Sequence, residues 1–301
     1  NGWLDQVYWP EVLYTPPSDA AVERELSEVK ALGFNLLRKH AKIEPERFYY
    51  HCDQLGMLVW QDMVNGGSAY KHWFVTYLAT LMNWNHISFS DDEKHAGLLS
   101  RLHPEGKDEF RREITETIAF LYNHPSIVVW VPFNEGWGQF DALAVCEQIR
   151  TLDSSRLVDH ASGWFDQKGG DILSLHYYFL KLKFKPESKR AAALTEFGGY
   201  SLSIPGHSCC KKVYGYKKFN STGTLTYGYI DLIRQTILPA VKKGIGATVY
   251  TQLSDIEEET NGIYTYDREI CKIDPDTLRK WNRALKEAGE CKTYADHTTD
   301  H

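Results

Sequence analysis

A chain of 301 residues, 43% hydrophobic and 13% aromatic, is long enough for a sizeable core, either as one large α/β barrel or as two ordinary domains. Its formal net charge of −6, with 34 basic against 40 acidic residues and no long basic run, argues against a nucleic-acid or anionic-membrane surface and favours a neutral ligand. No apolar stretch approaches the ~20 residues that span a bilayer, and the opening NGWLDQ lacks the basic and apolar regions of a secretory leader. A soluble chain is expected, cytoplasmic by default with secretion left open.

In chain order, GWLDQ (2–6) reads as a first strand and DAAVERELSEVKALG (19–33) as a helix. FNLLRKH (34–40) is the second strand, PERFYYHCDQLG (45–56) a helix and MLVWQDM (57–63) the third strand. After a long link come the helix DEFRREITETIAFLYN (108–123) and the fourth strand IVVWVPFNE (127–135). LVDHAS (157–162), DILSLHYY (171–178) and AALTEFGG (192–199) supply three more strands. The helix TYGYIDLIRQTILPAVKKG (226–244), the eighth strand ATVYTQL (247–253) and the helix PDTLRKWNRALKEAG (275–289) complete the series. Several helices begin at Asp or Pro and stop at Gly, as helix termini require. Alternating β-rich and helical segments predict parallel βαβ units, and eight strands close a (β/α)8 TIM barrel, whose typical size is ~250 residues.

Helix-to-strand links are short, whereas the strand-to-helix link after the third strand runs from 64 to 106, and long insertions also follow strands one, seven and eight. Barrel sites are built from strand-to-helix loops, so these long loops mark the working end. The longest carries Tyr70, Trp73, Phe74, Tyr77, Trp84 and Phe89, either to line a site or to fill a satellite core. Residues 1–290 are assigned to the barrel and 291–301 to a polar tail, whose His297 and His301 lack the Glu of an HExxH site. The chain starts at Asn, with a strand almost at once, and is expected to be one domain of a longer protein. Its six cysteines form no CxxC pair and are expected as isolated thiols. The sequon Asn220-Ser221-Thr222 matters in a glycosylating compartment alone.

Two carboxylates end strands in the same manner, Glu135 after IVVWVPFN and Glu196 after AALT, each followed by glycine. On strands four and seven of a closed barrel both point into one mouth. Either one alone also suits a helix cap or an ion pair with Arg. Two facing carboxyl groups suit glycoside hydrolysis, in which one attacks the anomeric carbon or activates water while the other protonates the leaving oxygen.

The order FNLLRKH, YYHCDQLGMLVWQD, FNEGW, LTEFGG, YTQLSDIEEETNGIYTYDR resembles the catalytic barrel of glycoside hydrolase family 2, the β-galactosidase and β-glucuronidase family, across nearly the whole chain. The resemblance implies a retaining β-glycosidase acting on a terminal β-linked sugar, with Glu135 as acid/base, Glu196 as nucleophile and no cofactor. It also implies that the N-terminal β-domains of the family lie outside this chain, as partner domains of a longer parent. By the same resemblance Arg38 and Tyr177 supply donors to the nucleophile, Asn134 binds the sugar 2-hydroxyl, and Tyr250 takes the place of the aromatic platform beneath the ring. The apolar strand beside Trp137 suits a raised pKa at Glu135.

There are departures from the family pattern. Arg38 is followed by Lys39, His40, Ala41 and Lys42 where many members carry Ser-His-Tyr-Pro, so His40 stands either in the missing His's role or as a structural residue. Asp5 and Gln6 stand where β-galactosidases have a His-rich segment, which makes Asp5 a candidate sugar contact, and the Asn-x-Lys pair of β-glucuronidases has no match. His176 faces the site edge or the core. The acidic run Asp255, Glu257, Glu258 and Glu259 is either a cation site or solvated loop charge. A carbohydrate-binding barrel without catalysis is the alternative function, and a metal-dependent hydrolase lacks a ligand cluster visible in the sequence.

Overall fold

The parity of residues along each strand decides which side chains face the barrel axis and which face the helices. The computed structural model of the chain describes residues 1–6, 8–71, 73–84, 87–178 and 182–295. Its strands are β1 (Gly2–Asp5), β2 (Leu36–Lys39), β3 (Leu58–Asp62), β4 (Ile127–Val131), β5 (Leu157–Val158), β6 (Ile172–Tyr177) and β7 (Ala191–Gly198). A small pair, β8 (Tyr200–Ser201) and β9 (Lys217–Lys218), precedes β10 (Ile245–Thr251). The eight barrel strands pair in the order β5-β4-β3-β2-β1-β10-β7-β6, all parallel. Between β5 and β6 the Asp171 N–H donates to the Val158 carbonyl, and the Asp171 carboxylate accepts from the Val158 N–H, both at 2.8 Å. The expected TIM barrel is therefore present and nearly closed.

The helices are α1 (Asp19–Ala31), α2 (Glu46–Leu55), α3 (Thr80–Trp84), α4 (Pro104–Leu121), α5 (Ala142–Leu152), α6 (Thr222–Leu232), α7 (Leu238–Lys243) and α8 (Pro275–Ala295). The Ser18 hydroxyl caps α1 by accepting from the Ala21 N–H, and Ser221 with Thr224 forms a capping box on α6. α4 starts four residues before the predicted Asp108 because Pro104 suits a first helical turn. The predicted helix 226–244 is interrupted by a π-helical stretch at Ile233–Ile237. Among the described residues no helix follows β5 or β6, so the outer ring is incomplete there. α8 runs past residue 290; the tail 296–301 with its two histidines, and the side chain of Trp84, lie outside the described residues. No described helix is long and apolar enough to cross a membrane. Cys52, Cys146, Cys209, Cys210 and Cys271 are free thiols.

Two apolar layers flank the strands. Leu4, Leu36, Trp60, Val129, Val131, Ile172, Ala193 and Val249 plug the barrel interior. Residues of the opposite parity, Trp3, Leu37, Val59, Trp130, Leu194, Phe197 and Tyr250, pack against the helices. Each fully buried side chain of this size contributes roughly 1.5–3 kcal/mol. Above the plug, toward the strand C-termini, the inward positions turn polar: Arg38, Asp62, Asp159, Ser174, Thr195 and Thr251 are all buried. A satellite cluster of Phe74, Ala79, Leu99, Trp164 and Phe165 anchors the long loop after β3 over this polar end.

Candidate active site

Pro132, which has no N–H to donate, stops the β4 ladder at Val131, short of the predicted strand end at Glu135. Pairing resumes against Ser162, whose N–H donates to the Phe133 carbonyl at 2.8 Å and whose carbonyl accepts from the Glu135 N–H at 2.9 Å. Glu135 itself sits at φ 52°, a left-handed conformation that costs a non-glycine residue on the order of 1–2 kcal/mol. Gly136 follows at φ 71°, where a Cβ would fall 2.2 Å from the Phe165 ring. The strained turn swings the Glu135 carboxyl over the barrel mouth. Burial raises its pKa to about 7, despite the opposing positive charges of His40 and Arg38.

Glu196 reaches the same mouth by a β-bulge. β7 pairs Leu194 with Leu175 of β6 but Glu196 with the next residue, His176, and a matching shift occurs against β10. The extra residue lets Thr195 and Glu196 both face inward. Arg38 donates from Nη1 to Glu196 Oε1 at 3.1 Å, while Nε and Nη2 fork onto the two Asp62 oxygens at 2.9 Å each. Burial opposes both charges of the Arg38–Asp62 pair, yet their attraction wins: the arginine pKa is raised and the Asp62 pKa lowered. Nη2 also donates to Asn134 at 2.8 Å. Since Arg can only donate, the atom it meets is the Asn134 carbonyl oxygen, and the amide nitrogen is left to donate to a ligand. The Tyr178 hydroxyl donates to Glu196 Oε2, lies 3.0 Å from the Thr251 hydroxyl, and its ring stacks on Tyr216 at 3.9 Å.

His176 stands between the two carboxylates, Nδ1 at 2.8 Å from Glu135 Oε1 and 3.6 Å from Glu196 Oε2. Burial lowers its pKa to about 4, outweighing the pull of Glu196, so the ring is neutral at pH 7 and these contacts are not ion pairs. Its Nε2 lies 3.2 Å from the Ser162 hydroxyl, which joins Ser174, Thr195 and Asp159 in a buried cluster. A carboxylate oxygen of Glu135, one of Glu196 and a His176 nitrogen lie within 4.8 Å of one another. They form a donor set able to hold a cation, as do His207, Asp267 and Glu269 in the loops beyond β7 and β10. The fold thus assembles two ligand clusters that the sequence spacing conceals. The cavity over Glu135 has a volume of about 970 Å³, and Tyr70, Trp137 and Trp164 line it with Gln6 and Glu259.

Of the predicted residues, Glu135, Glu196, Arg38, Asn134, His40, His176 and Trp137 meet at this mouth. His40 bonds Asp62 through Nδ1 at 2.8 Å. Burial opposes its charge, but the Asp62 hydrogen bond and charge prevail and raise its pKa. Trp137 is half exposed and touches the Tyr70 ring. Three expectations are corrected, each for the same physical reason. Tyr177 alternates with the inward His176 and Tyr178, so it packs against the helix-side core while Tyr178 meets Glu196. Tyr250 alternates with the inward Val249 and Thr251 and is buried against Phe197 and Tyr229, 5.5 Å from each ring; no aromatic platform is formed there. Asp5 follows the inward Leu4 and points outward to Lys39 at 3.1 Å, in a buried ionic cluster with Glu44 and Lys42. Asp62, Tyr178 and Gln252 are site residues that the sequence reading missed, and Glu259, read there as a cation ligand or solvated loop charge, lines the cavity beside them. For Asp62 the signal was available: it lies two residues beyond the inward Trp60.

Comparison with known proteins agrees with this architecture. Residues 18–237 match the family model described as glycosyl hydrolases family 2, TIM barrel domain. A β-galactosidase of Leuconostoc mesenteroides is 25% identical over 285 residues, 90% of this chain and 24% of the relative. A β-mannosidase B of Thermothelomyces thermophilus is 32% identical over 94 residues, 31% of this chain and 8% of the relative. Among solved structures, a β-galacturonidase from Eisenbergiella tayi bound to galacturonate superposes with a TM-score of 0.64 at 19% identity, over 94% of this chain and 50% of that one. A Dictyoglomus thermophilum β-D-glucuronidase gives 0.65 at 14%, with the same coverage. The chain spans half or less of the length of each of these proteins. With a family model matched over most of the barrel and the barrel itself in place, the chain belongs to glycosyl hydrolase family 2, as its TIM barrel domain.

Proposed function

We propose that the chain is the catalytic barrel of a retaining β-glycosidase that cleaves a terminal β-linked sugar by double displacement. The observation carrying this reading is that one carboxylate oxygen of Glu135 and one of Glu196 lie within 4.8 Å of each other at one cavity, which leaves little room for a water between them. Retaining enzymes hold the pair at ~5–5.5 Å, whereas inverting enzymes leave ~6.5–9.5 Å for a water. In this reading Glu196, oriented by Arg38 and Tyr178, attacks the anomeric carbon. Glu135 protonates the leaving oxygen and then activates water from the same face. Asn134 donates to the sugar 2-hydroxyl, a contact that strengthens as positive charge develops on the ring. A cation bound by Glu135, His176 and Glu196 would compete with Arg38 for Glu196, which favours the two-carboxylate reading over a metal-dependent one.

β-Galactosides are the first substrates to try, because the relative aligned over 90% of the chain is named a β-galactosidase; β-mannosides come next. The test is a panel of nitrophenyl β-glycosides with the first-formed anomer read by NMR, with and without chelator. A β-anomer as first product, insensitive to chelator, is expected. An α-anomer argues for inversion, chelator-sensitive turnover for the metal reading, and sugar binding without turnover for a non-catalytic barrel.

The corrected tyrosine gives a second check. Tyr178→Phe is expected to lower kcat by ~10–100-fold through loss of a charge-assisted hydrogen bond to the nucleophile. Tyr177→Phe should leave kcat within about twofold, since its ring packing is kept. The reverse order would return the role to Tyr177.

A further inference from the structure

Opposite Glu135 the mouth is built differently. Going round the barrel, β10 lies four strands from β4, so the loop after β10 faces the Glu135 turn from across the cavity. Glu135 protonates the leaving group, and the aromatic wall of Tyr70, Trp137 and Trp164 stands on its side. The far wall therefore meets the sugar that is retained. There, Gln252 donates from Nε2 to Glu259 Oε2 at 3.0 Å and to Asn261 Oδ1 at 2.7 Å. Gln6 Nε2 meets Gln252 Oε1 at 3.1 Å and Glu259 Oε2 at 3.5 Å. Glu259 is thus held in place by side-chain amides, those of Gln252, Gln6 and Asn261, with no Lys or Arg ion pair among the described residues. Burial and the charge of Glu196 push its pKa up, while the amide donors favour its ionised form.

Charge on this wall is one-sided. Among the described residues lining the cavity, Lys212 is the one Lys or Arg, set against Glu257, Glu258 and Glu259. Lys212 is already paired with Glu258 at 3.1 Å, and Arg38 deeper in is taken by Asp62 and Glu196. Among the described residues lining the cavity, a carboxylate on the sugar would meet the Glu259 carboxylate and no Lys or Arg without an acidic partner. Like charges repel more strongly in a partly dehydrated cleft than in water, and exclusion by repulsion is an efficient route to specificity.

We propose that Glu259 is a specificity-determining residue that bars uronic acids from the sugar pocket, so that the retained sugar is uncharged. The inference rests on the glycosidase reading above, and it separates this chain from the galacturonate-bound β-galacturonidase and the β-D-glucuronidase that share its fold. The experiment compares kcat/KM for 4-nitrophenyl β-D-galactoside and 4-nitrophenyl β-D-galacturonide in the wild-type chain, Glu259→Gln, Glu259→Lys and the rim variant Glu257→Gln. Wild type is expected to prefer the galactoside by at least ~100-fold, with Glu259→Gln narrowing that ratio at least ~10-fold and Glu259→Lys narrowing it further. Glu257→Gln should move it less than about threefold, its charge being exposed and screened and paired with no cation among the described residues. An unchanged ratio in Glu259→Gln, or equal turnover of the two substrates by wild type, overturns the proposal.

Calorimetry of galactose and galacturonate on the wild-type chain guards against a variant that fails to fold. Weaker galacturonate binding by at least ~10-fold supports the filter, and equal affinity overturns it. If sugars bind selectively but no glycoside is hydrolysed, the glycosidase reading fails while the filter stands. If hydrolysis proceeds with a ratio indifferent to residue 259, the filter alone fails.

Discussion

Glu196→Ala is expected to lower kcat on an aryl β-glycoside by about 10⁴-fold or more, the scale seen when an enzyme loses its nucleophile. Azide should then restore part of the turnover and yield an α-glycosyl azide. Glu196 is almost wholly buried, and Arg38 Nη1 and the Tyr178 hydroxyl each bind one of its oxygens. Truncation removes the attacking oxygen and leaves a space beside two donors, which a small anion can fill from the face opposite the leaving group. Arg38 keeps its fork on Asp62, so no buried charge is stranded and folding should survive. Undiminished turnover in Glu196→Ala would remove the nucleophile assignment. A β-azide would mean that attack comes from the other face.

The barrel and its working end were legible because they depend on features that act locally. Alternating strand and helix periods predict βαβ units, and loop length distinguishes the two barrel ends. Glu135 and Glu196 stood out because a carboxylate ending an apolar run needs a reason. Side-chain direction was legible too, but through parity rather than position at a strand's end. Trp3 and Leu4 in β1 decide that Asp5 points outward, and Val249 in β10 decides the same for Tyr250. In β7 parity itself fails: the bulge turns both Thr195 and Glu196 inward, and no local residue pattern announces it. Asp62 went unassigned and Glu259 was read only as part of an acidic run, because their roles depend on partners distant in the chain, Arg38 in one case and Gln6 in the other. Helix α5 has Ala142, Val145, Cys146 and Ile149 buried on one face, an ordinary helical period that the neighbouring turn obscured.

Glu135 gives the other large effect, through its protonation. As general acid it must carry a proton, and its pKa is raised to about 7 by burial, so kcat/KM should be high below that pH and fall as pH rises through it. Glu135→Gln should remove this alkaline limb and lower kcat/KM by about 10²–10⁴-fold for a poor leaving group, with a much smaller loss for a dinitrophenolate that departs unaided. With Glu135→Ala, azide should attack the glycosyl-enzyme on the vacated face and give a β-azide, the opposite anomer to that from Glu196→Ala. The same raised pKa has a stability consequence. Between the ordinary carboxyl value of 4.5 and about 7 the folded chain binds a proton that the unfolded chain releases. Relative to Glu135→Gln, the wild type should therefore lose on the order of 3 kcal/mol of stability as pH climbs across that window, and none further above it. Urea unfolding of the two proteins at pH 4.5, 6 and 8 measures this. A gap between them that stays constant with pH would mean that Glu135 is ionised in the fold and is not the acid, whatever its place beside the sugar.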